Sequence, residues 1–512
     1  MPTTWNFDNS YARLPAQFHS SVLPSLVPHP QLTILNHPLA LSLGLDPTDL
    51  AHLPALFTGN QLPPGSSPIA QAYAGHQFGH LARLGDGRAI LLGELLTPTG
   101  ARFDLQLKGP GPTPYSRNGD GRAALGPMLR EYLLSESLHA LRIPTTRSLA
   151  VASTGEIVHR DLPLPGAVLT RIASSHIRVG TFVYFAALHD LPALELLTSH
   201  SLLRHFPHRA TSPNRPLALL EETLELQASL IAHWMRVGFV HGVMNTDNMA
   251  ISGETLDYGP CAFLDSYDPH ATFSSIDHHG RYAFDQQPPI ASWNLARLAE
   301  ALLPIIHPDP DTAVELATEL LATFTPRYEN HRLSNLRAKL GLFTVEPHDL
   351  TLANDFLDLL HQSSSDYTQS FRQLHPSTPH LPSPPTSTPH PSSTLASPSP
   401  TTPTPTPFTL WHHRWTDRLA RQPQSLPEVT RLMRDHNPAI IPRNHAVEAA
   451  LTAATHQDLA PFHRILTALA HPYADPRADP DTDPDSPTSP HPPELLTPPP
   501  PNSPPYRTFC GT

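Results

Sequence analysis

Proline stands at 63 of 512 positions, and much of it is gathered into two stretches, 376–407 and 473–505, where it alternates with Ser, Thr, Asp and His. A segment of this kind has fixed φ angles, few backbone donors and too little apolar surface to offset the entropy of ordering. The chain therefore reads as a globular body of roughly 430 residues, cut by a solvated insertion and followed by a Pro-rich tail. The expected organisation is an N-terminal extension over 1–65, a β-rich lobe over 66–190, a helical lobe over 191–375, the disordered insertion at 376–407, a C-terminal helical region over 408–472 and the tail at 473–512.

Inside the body the periodicity changes along the chain. "GHLARLGDGRAILLGELL" reads as two apolar runs joined by a hairpin turn at Asp86-Gly87. "RFDLQLKG" alternates with period two, so Phe103, Leu105 and Leu107 share one face while Asp104, Gln106 and Lys108 share the other. After a turn-rich "GPGPTPYSRNGDGRA", leucines at helical spacing predict a helix over 125–141, and the longest helix is expected over 216–237. Further helices are expected at 293–306, 311–324, 427–436 and 445–470, giving an α+β order with the sheet first.

A net charge of −12 leaves no basic footprint, which argues against nucleic acid or an anionic membrane as partner. The start has no charged-then-apolar signal pattern, no long apolar run follows, and two cysteines suit a reducing compartment; the expectation is a soluble, cytoplasmic protein. Although 33 histidines invite a metal reading, neither H-E-x-x-H nor C-x-x-C occurs, and adjacent His278 and His279 point apart.

The long helix leads into "FVHGVMNTDNMAISGETLDYG", which has the spacing of a kinase catalytic loop, H-R-D-x-x-x-x-N followed by D-F-G. His241 and Asn248 keep that spacing, and Asp257-Tyr258-Gly259 stands where D-F-G would, but Val243 occupies the position of the catalytic Asp and Asp247 has arisen beside the Asn. Asn248 and Asp257 offer two hard oxygens of the sort that hold Mg²⁺ or Mn²⁺ together with phosphates, although each alone is also a common turn residue. Lys108 at a strand end, upstream of a helix carrying Glu131, repeats the lysine–glutamate pairing of kinases; taken singly it would be a solvated charge. The turns around Gly85, Gly87 and Arg88 and around Asp120, Gly121 and Arg122 are candidate phosphate cradles or plain hairpin turns. Arg171 and Arg178, seven apart, would share a face if helical. Neither G-x-G-x-x-G nor G-x-x-x-x-G-K-[ST] is found.

Together with "YAGHQFG", "DLQLKGPGPTPYSRNGDGRA", "REYLLSESLHALRIPTTRSLA", "GRYAFDQQP" and "NPAIIPRNHAVEAAL", these segments closely resemble, in order and up to about residue 473, the selenoprotein O family of pseudokinase protein adenylyltransferases. The resemblance implies a protein-kinase-like bilobal fold with a β-rich N-lobe, a mainly helical C-lobe and additional C-terminal helices. It also implies ATP bound in a flipped orientation, transfer of AMP to Ser, Thr or Tyr of protein substrates, release of pyrophosphate, a Mg²⁺ or Mn²⁺ requirement, and UTP as an alternative donor. Carried to matching positions, Asp247 would accept the proton, and Asn248 and Asp257 would hold the metal. Lys108, Arg171 and Arg178 would grip the outer phosphates. Gly85, Gly87, Arg88, Asp120 and Gly121, with Asp257, would complete the nucleotide site, and Glu131 would pair with Lys108. Family members often carry a cysteine after D-Y-G that pairs with one near the C-terminus; Phe273 stands at the first position and Cys510 at the second, leaving Cys261 as the alternative partner.

Two other readings use the same residues. A small-molecule or protein kinase would keep an Asp where Val243 stands, and a dead nucleotide-binding scaffold would be expected to have lost Lys108, Asn248 or Asp257.

Overall fold

The computed structural model describes residues 5–377, 406–474, 491–500 and 503–508. The first lobe is an antiparallel sheet built from β1 (His19–Ser21), β2 (Gln31–Leu35), β3 (Ile69–Gln71), β6 (Ala89–Leu96), β7 (Arg102–Lys108), β8 (Ala123–Ala124), β9 (Arg147–His159) and β10 (Pro163–Ala173). Its order is β1-β3-β6-β7-β10-β9-β2, with β8 also paired to β10. A separate two-stranded ribbon, β4 (Ala74–Gln77) with β5 (His80–Arg83), leaves the sheet and reaches toward the second lobe.

The period of two sorts the sheet residues to two covers. Ile90, Leu92, Leu105, Leu107, Ala150, Ala152 and Val168 pack against Leu39, Leu50 and Phe57 of three short helices, α1 (His37–Ser42), α2 (Pro47–Ala51) and α3 (Pro54–Thr58). Leu91, Val151, Ala167 and Leu169 face the other way, onto Leu129, Leu133 and Leu138 of α4 (Leu125–Ala140). The polar residues of β7, Asp104, Gln106 and Lys108, share that second face and are enclosed at 2%, 0% and 5% exposure, Lys108 by Glu131 of α4, Gln106 by Asp86 and Arg171, and Asp104 by His176 and Arg204.

The second lobe is helical: α5 (Val179–Ala187), α6 (Leu191–His205), α7 (Arg215–Val237), α8 (Gln287–Ile306), α9 (Pro310–Leu321), α10 (Phe324–Lys339), α11 (Asp349–Gln362) and α12 (Tyr367–Arg372). Between α7 and α8 lie the small strands β11 (Phe239–Val240) and β12 (Ala262–Phe263), which bracket the catalytic-loop sequence. The helices α13 (Pro407–Ala420), α14 (Leu426–His436), α15 (Asn444–Thr455), α16 (Ala460–Leu469) and α17 (Pro493–Leu496) complete it. A second apolar core gathers Phe356, Phe371, Trp411 and Trp415.

Several expectations are corrected. No hairpin forms at Asp86-Gly87: β5 pairs with β4, while β6 pairs with β3 and β7, because Asp86 turns inward and its carboxylate accepts the Gln71 N–H at 3.0 Å. The helix expected over 445–470 is two helices, broken where Gln457 takes φ 68° and where Pro461 opens the next helix. The helix expected over 311–324 stops at Leu321, since Pro326 has no N–H to return to the Ala322 carbonyl, and α10 starts in its place. The tail is not uniformly solvated: Leu495 of "PELL" is fully buried, Thr508 pairs with Ser274, and the Tyr506 hydroxyl donates to Glu448 at 2.6 Å. A few apolar anchors among the prolines suffice to dock it. Residues 378–405 of the expected insertion, and Cys510, lie outside the described residues.

Candidate active site

Five side chains from five elements converge where the lobes meet. Lys108, at the end of β7, donates to Glu131 of α4 at 2.7 Å and to Asp257 at 3.0 Å. Arg171 of β10 donates to the same two carboxylates. Arg178, in the link between β10 and α5, donates to the other Asp257 oxygen at 2.7 Å and to the main-chain oxygen of Asp247 at 2.6 Å. The helical reading of Arg171 and Arg178 is thereby corrected: one sits on a strand and the other caps α5, yet both reach Asp257 because antiparallel pairing sets Arg171 opposite Gln106, two residues from Lys108. The cluster holds three cations and two carboxylates, a net charge of +1 before Asp86 is counted.

Burial alone would neutralise such groups, but here each sign sustains the other. Burial raises the pKa of Asp257, and Arg171, Lys108 and Arg178 more than reverse that, holding it well below the usual carboxylate range. Lys108 is shifted down, first by burial and then by Arg171, with Glu131 opposing. Asp86, 1% exposed and 4.0 Å from Arg178, is shifted up by burial.

Asp247 lies in a single 3₁₀ turn, Thr246–Asn248, on the next layer. Its side chain is 8% exposed, its Oδ1 has no hydrogen-bond partner, and burial pushes its pKa up to about 6 against the pull of Arg178. Gly75 of β4 packs directly on it, and a Cβ at that position would fall 2.5 Å from Asp247 Cγ. Gly180 backs the same turn, where a Cβ would come 3.4 Å from Asp247 Cα. Val243 is 9% exposed and carries no proton acceptor. Asn248 donates its amide N–H to the Val243 carbonyl at 2.9 Å, which fixes the amide and directs its oxygen away from that carbonyl. His241 is a structural anchor: it is fully buried, stacks on Trp234 and hydrogen-bonds the Leu256 carbonyl at 2.9 Å.

A cavity of about 780 Å³ opens beside Asp247, bordered by Gly85, Gly87, Arg88, Asp120 and Gly121, with Tyr73 and Arg117. The two glycine turns close on each other: Ser116 bonds the Gly87 carbonyl, and a Cβ at Gly85 would enter the Tyr115 ring. Asp120 holds the outer edge through Arg160 at 2.8 Å. All the residues expected at the site therefore line this cavity or belong to the ionic cluster or the turn beside it. His278 and His279 are exposed and take no part.

Sequence reasoning missed the residues that hold the loop. The Tyr282 hydroxyl donates to Asn245 at 2.6 Å, Gln287 accepts the His241 N–H at 3.0 Å, and Arg178 lies over the Tyr73 ring at 4.7 Å. The segments "YAGHQFG" and "GRYAFDQQP" carried most of that signal without assigning it a role.

The donors fit a hard divalent cation. Asp257 and Asn248 would offer it a carboxylate, now shared with Lys108, Arg171 and Arg178, and an oriented amide oxygen, and Asp247 Oδ1 is a buried, unpartnered oxygen next in sequence. Among the described residues no group of three His, Cys, Asp or Glu side chains converges, so a cation here would draw its remaining ligands from phosphate and water.

A strand lysine paired to a helix glutamate, a D-Y-G aspartate facing both, and an Asn-bearing loop whose position 243 is apolar define a phosphate-handling transferase on a bilobal α+β scaffold. Residues 2–470 match the family model of Protein adenylyltransferase SelO. The chain belongs to that family of protein adenylyltransferases. It is 53% identical to the protein nucleotidyltransferase YdiU of Bacillus cytotoxicus, over all of this chain and 98% of that protein, and 52% identical to the YdiU of Syntrophotalea carbinolica, over 99% and 98%. The family carries with it a general dependence on a divalent metal. A specific rhoptry antigen kinase domain of Toxoplasma gondii aligns with TM-score 0.22 and 14% identity over 54% of this chain and 88% of that one. Among the described residues no helix is long and apolar enough to cross a membrane.

Proposed function

We propose that this chain transfers AMP from ATP to Ser, Thr or Tyr hydroxyls of proteins, with Asp247 as the base. The observation that carries the reading is the placement of Asp247: a buried carboxylate with a free oxygen, next to a three-cation cluster, while position 243 offers no base. In this reading Lys108, Arg171 and Arg178 hold the outer phosphates, Glu131 positions Lys108, and the Gly85, Gly87, Arg88, Asp120 and Gly121 rim takes the rest of the nucleotide. The acceptor oxygen attacks the α-phosphorus, its proton passes to Asp247, the bond from the α-phosphorus to the bridging oxygen breaks, and pyrophosphate leaves with its added charge facing the cations. A base titrating near 6 is ionised at neutral pH yet a better proton acceptor than an ordinary Asp. Asn248 and Asp257 would hold Mg²⁺ or Mn²⁺, which when bound supplies charge neutralisation at the phosphates. UTP would fit the same phosphate grip, and two cysteines with no basic patch suit a cytoplasmic protein.

Incubation with ATP labelled at the α- or the γ-phosphate tests this. Protein-bound α label is expected; transfer of γ label would support a kinase instead, and neither would leave a nucleotide-binding scaffold.

A further inference from the structure

The segment "GRYAFDQQP" is only partly used by the loop it supports. Asp277 accepts the N–H groups of both Arg281 and Tyr282, at 2.9 and 2.8 Å, which turns the chain so that Tyr282 enters the protein and reaches Asn245 while Arg281 is half-buried, with its Nε enclosed. There the Arg281 guanidinium lies over the rings of Tyr282 and Trp293, at 5.7 and 5.0 Å from their centroids. Arg297 lies over the same Trp293 at 4.8 Å and pairs with exposed Glu300 at 2.5 Å. Arg281 has no carboxylate partner among the described residues, and its Nε has no hydrogen-bond partner. The two acids nearest in sequence, each four residues away, are committed elsewhere: Asp277 to main-chain donors and Asp285 to His270 at 3.0 Å.

This patch is tied to the base by one short ribbon. Gly75 touches Asp247, the His76 N–H donates to Thr246 at 2.8 Å, the His76 ring meets Trp293 edge-on at 5.4 Å, Phe78 packs on Tyr282, and Gly79 sits beside the Arg281 guanidinium. Four residues of strand span at most about 13 Å. A cation held flat on aromatic rings is preorganised for a carboxylate, since it loses little freedom on pairing. On a chain whose net charge is −12 it offers an acidic segment a local cation.

We infer that Arg281, stacked with Trp293 beside the Asp247 turn, is an acceptor-recognition site that selects protein segments with an Asp or Glu within about four residues of the modified hydroxyl. The inference rests on the AMP-transfer reading. The test uses the full chain, α-labelled ATP, and paired serine peptides flanked by Glu or by Lys, with kcat/KM measured at low and high salt for wild type, Arg281→Glu and Arg281→Gln. The Glu-flanked peptide should be preferred by wild type roughly tenfold, less so at high salt. Arg281→Glu should invert the preference and Arg281→Gln should abolish it, with ATP affinity unchanged in both. The glutamine variant keeps the question answerable if the charge reversal fails to fold. Labelling without a charge preference, or a preference that survives both substitutions, overturns the inference alone. No labelling of either peptide or of any protein by wild type would instead sink the transfer reading, and this inference with it.

Discussion

Gly75→Ala perturbs the base without altering any chemical group at the site. Its backbone is not in the left-handed region, so the added methyl acts only through space: it would lie 2.5 Å from Asp247 Cγ and 2.7 Å from Leu84 Cδ1, whereas ordinary contact begins near 3.4 Å. Relief requires a separation of at least about 0.9 Å, since Asp247 Oδ1 would lie closer still than Cγ, and Gly180 behind the turn leaves little room for the loop to retreat. The carboxylate must swing or the ribbon must lift. A displacement of about 1 Å in a positioned group costs about 10²-fold, so AMP transfer should fall by that factor. ATP affinity should hold, because the contacts of Lys108, Arg171 and Arg178 do not involve Gly75. The assay is initial-rate transfer from α-labelled ATP beside equilibrium ATP binding. Gly126→Ala serves as control, since a Cβ there meets nothing closer than 3.9 Å. An undiminished transfer rate in a folded Gly75→Ala protein would refute the placement of the base against β4.

Asp257→Ala should abolish transfer and lower the melting temperature of the nucleotide-free protein, because it leaves Lys108 and Arg171 with Glu131 alone and Arg178 with only Asp86 at 4.0 Å; ATP with metal should restore part of the loss, as seen by thermal unfolding with and without both. Asp247→Asn should cost about 10²- to 10⁴-fold in transfer with nucleotide binding kept, whereas Val243→Asp should not yield γ-phosphate transfer, both read from α and γ label side by side. Cys261 is fully buried and burial pushes its thiol up to about 12, so at pH 8 only about one molecule in 10⁴ carries the thiolate. Iodoacetamide should therefore leave the Cys261 peptide unmodified until the protein is denatured, as followed by mass spectrometry; alkylation in the native state would contradict its enclosure and reopen it as a redox partner.

What the sequence determined by itself was local or periodic. Alternation in "RFDLQLKG" placed Lys108 on the polar side of a strand, leucine spacing placed Glu131 on a helix, and the spacing from His241 to Asn248 and Asp257 marked the loop and its missing base. These properties follow from backbone geometry over a few residues. The tertiary structure decided everything that depends on what lies opposite. The polar face of β7 is buried, with Glu131 of α4 against Lys108, so Lys108 is an enclosed cation and not a solvated one. Asp86-Gly87 has the residues of a hairpin turn but not its partner strands, because the Asp86 carboxylate caps Gln71 and sends β5 to pair with β4. Arg171 and Arg178 meet at Asp257 through sheet register and a helix cap, a convergence no single-element period encodes. Gly75 and Arg281, each within a recognisable segment, acquire their meaning only because a short ribbon folds across the catalytic turn and brings residues more than 160 positions apart into contact.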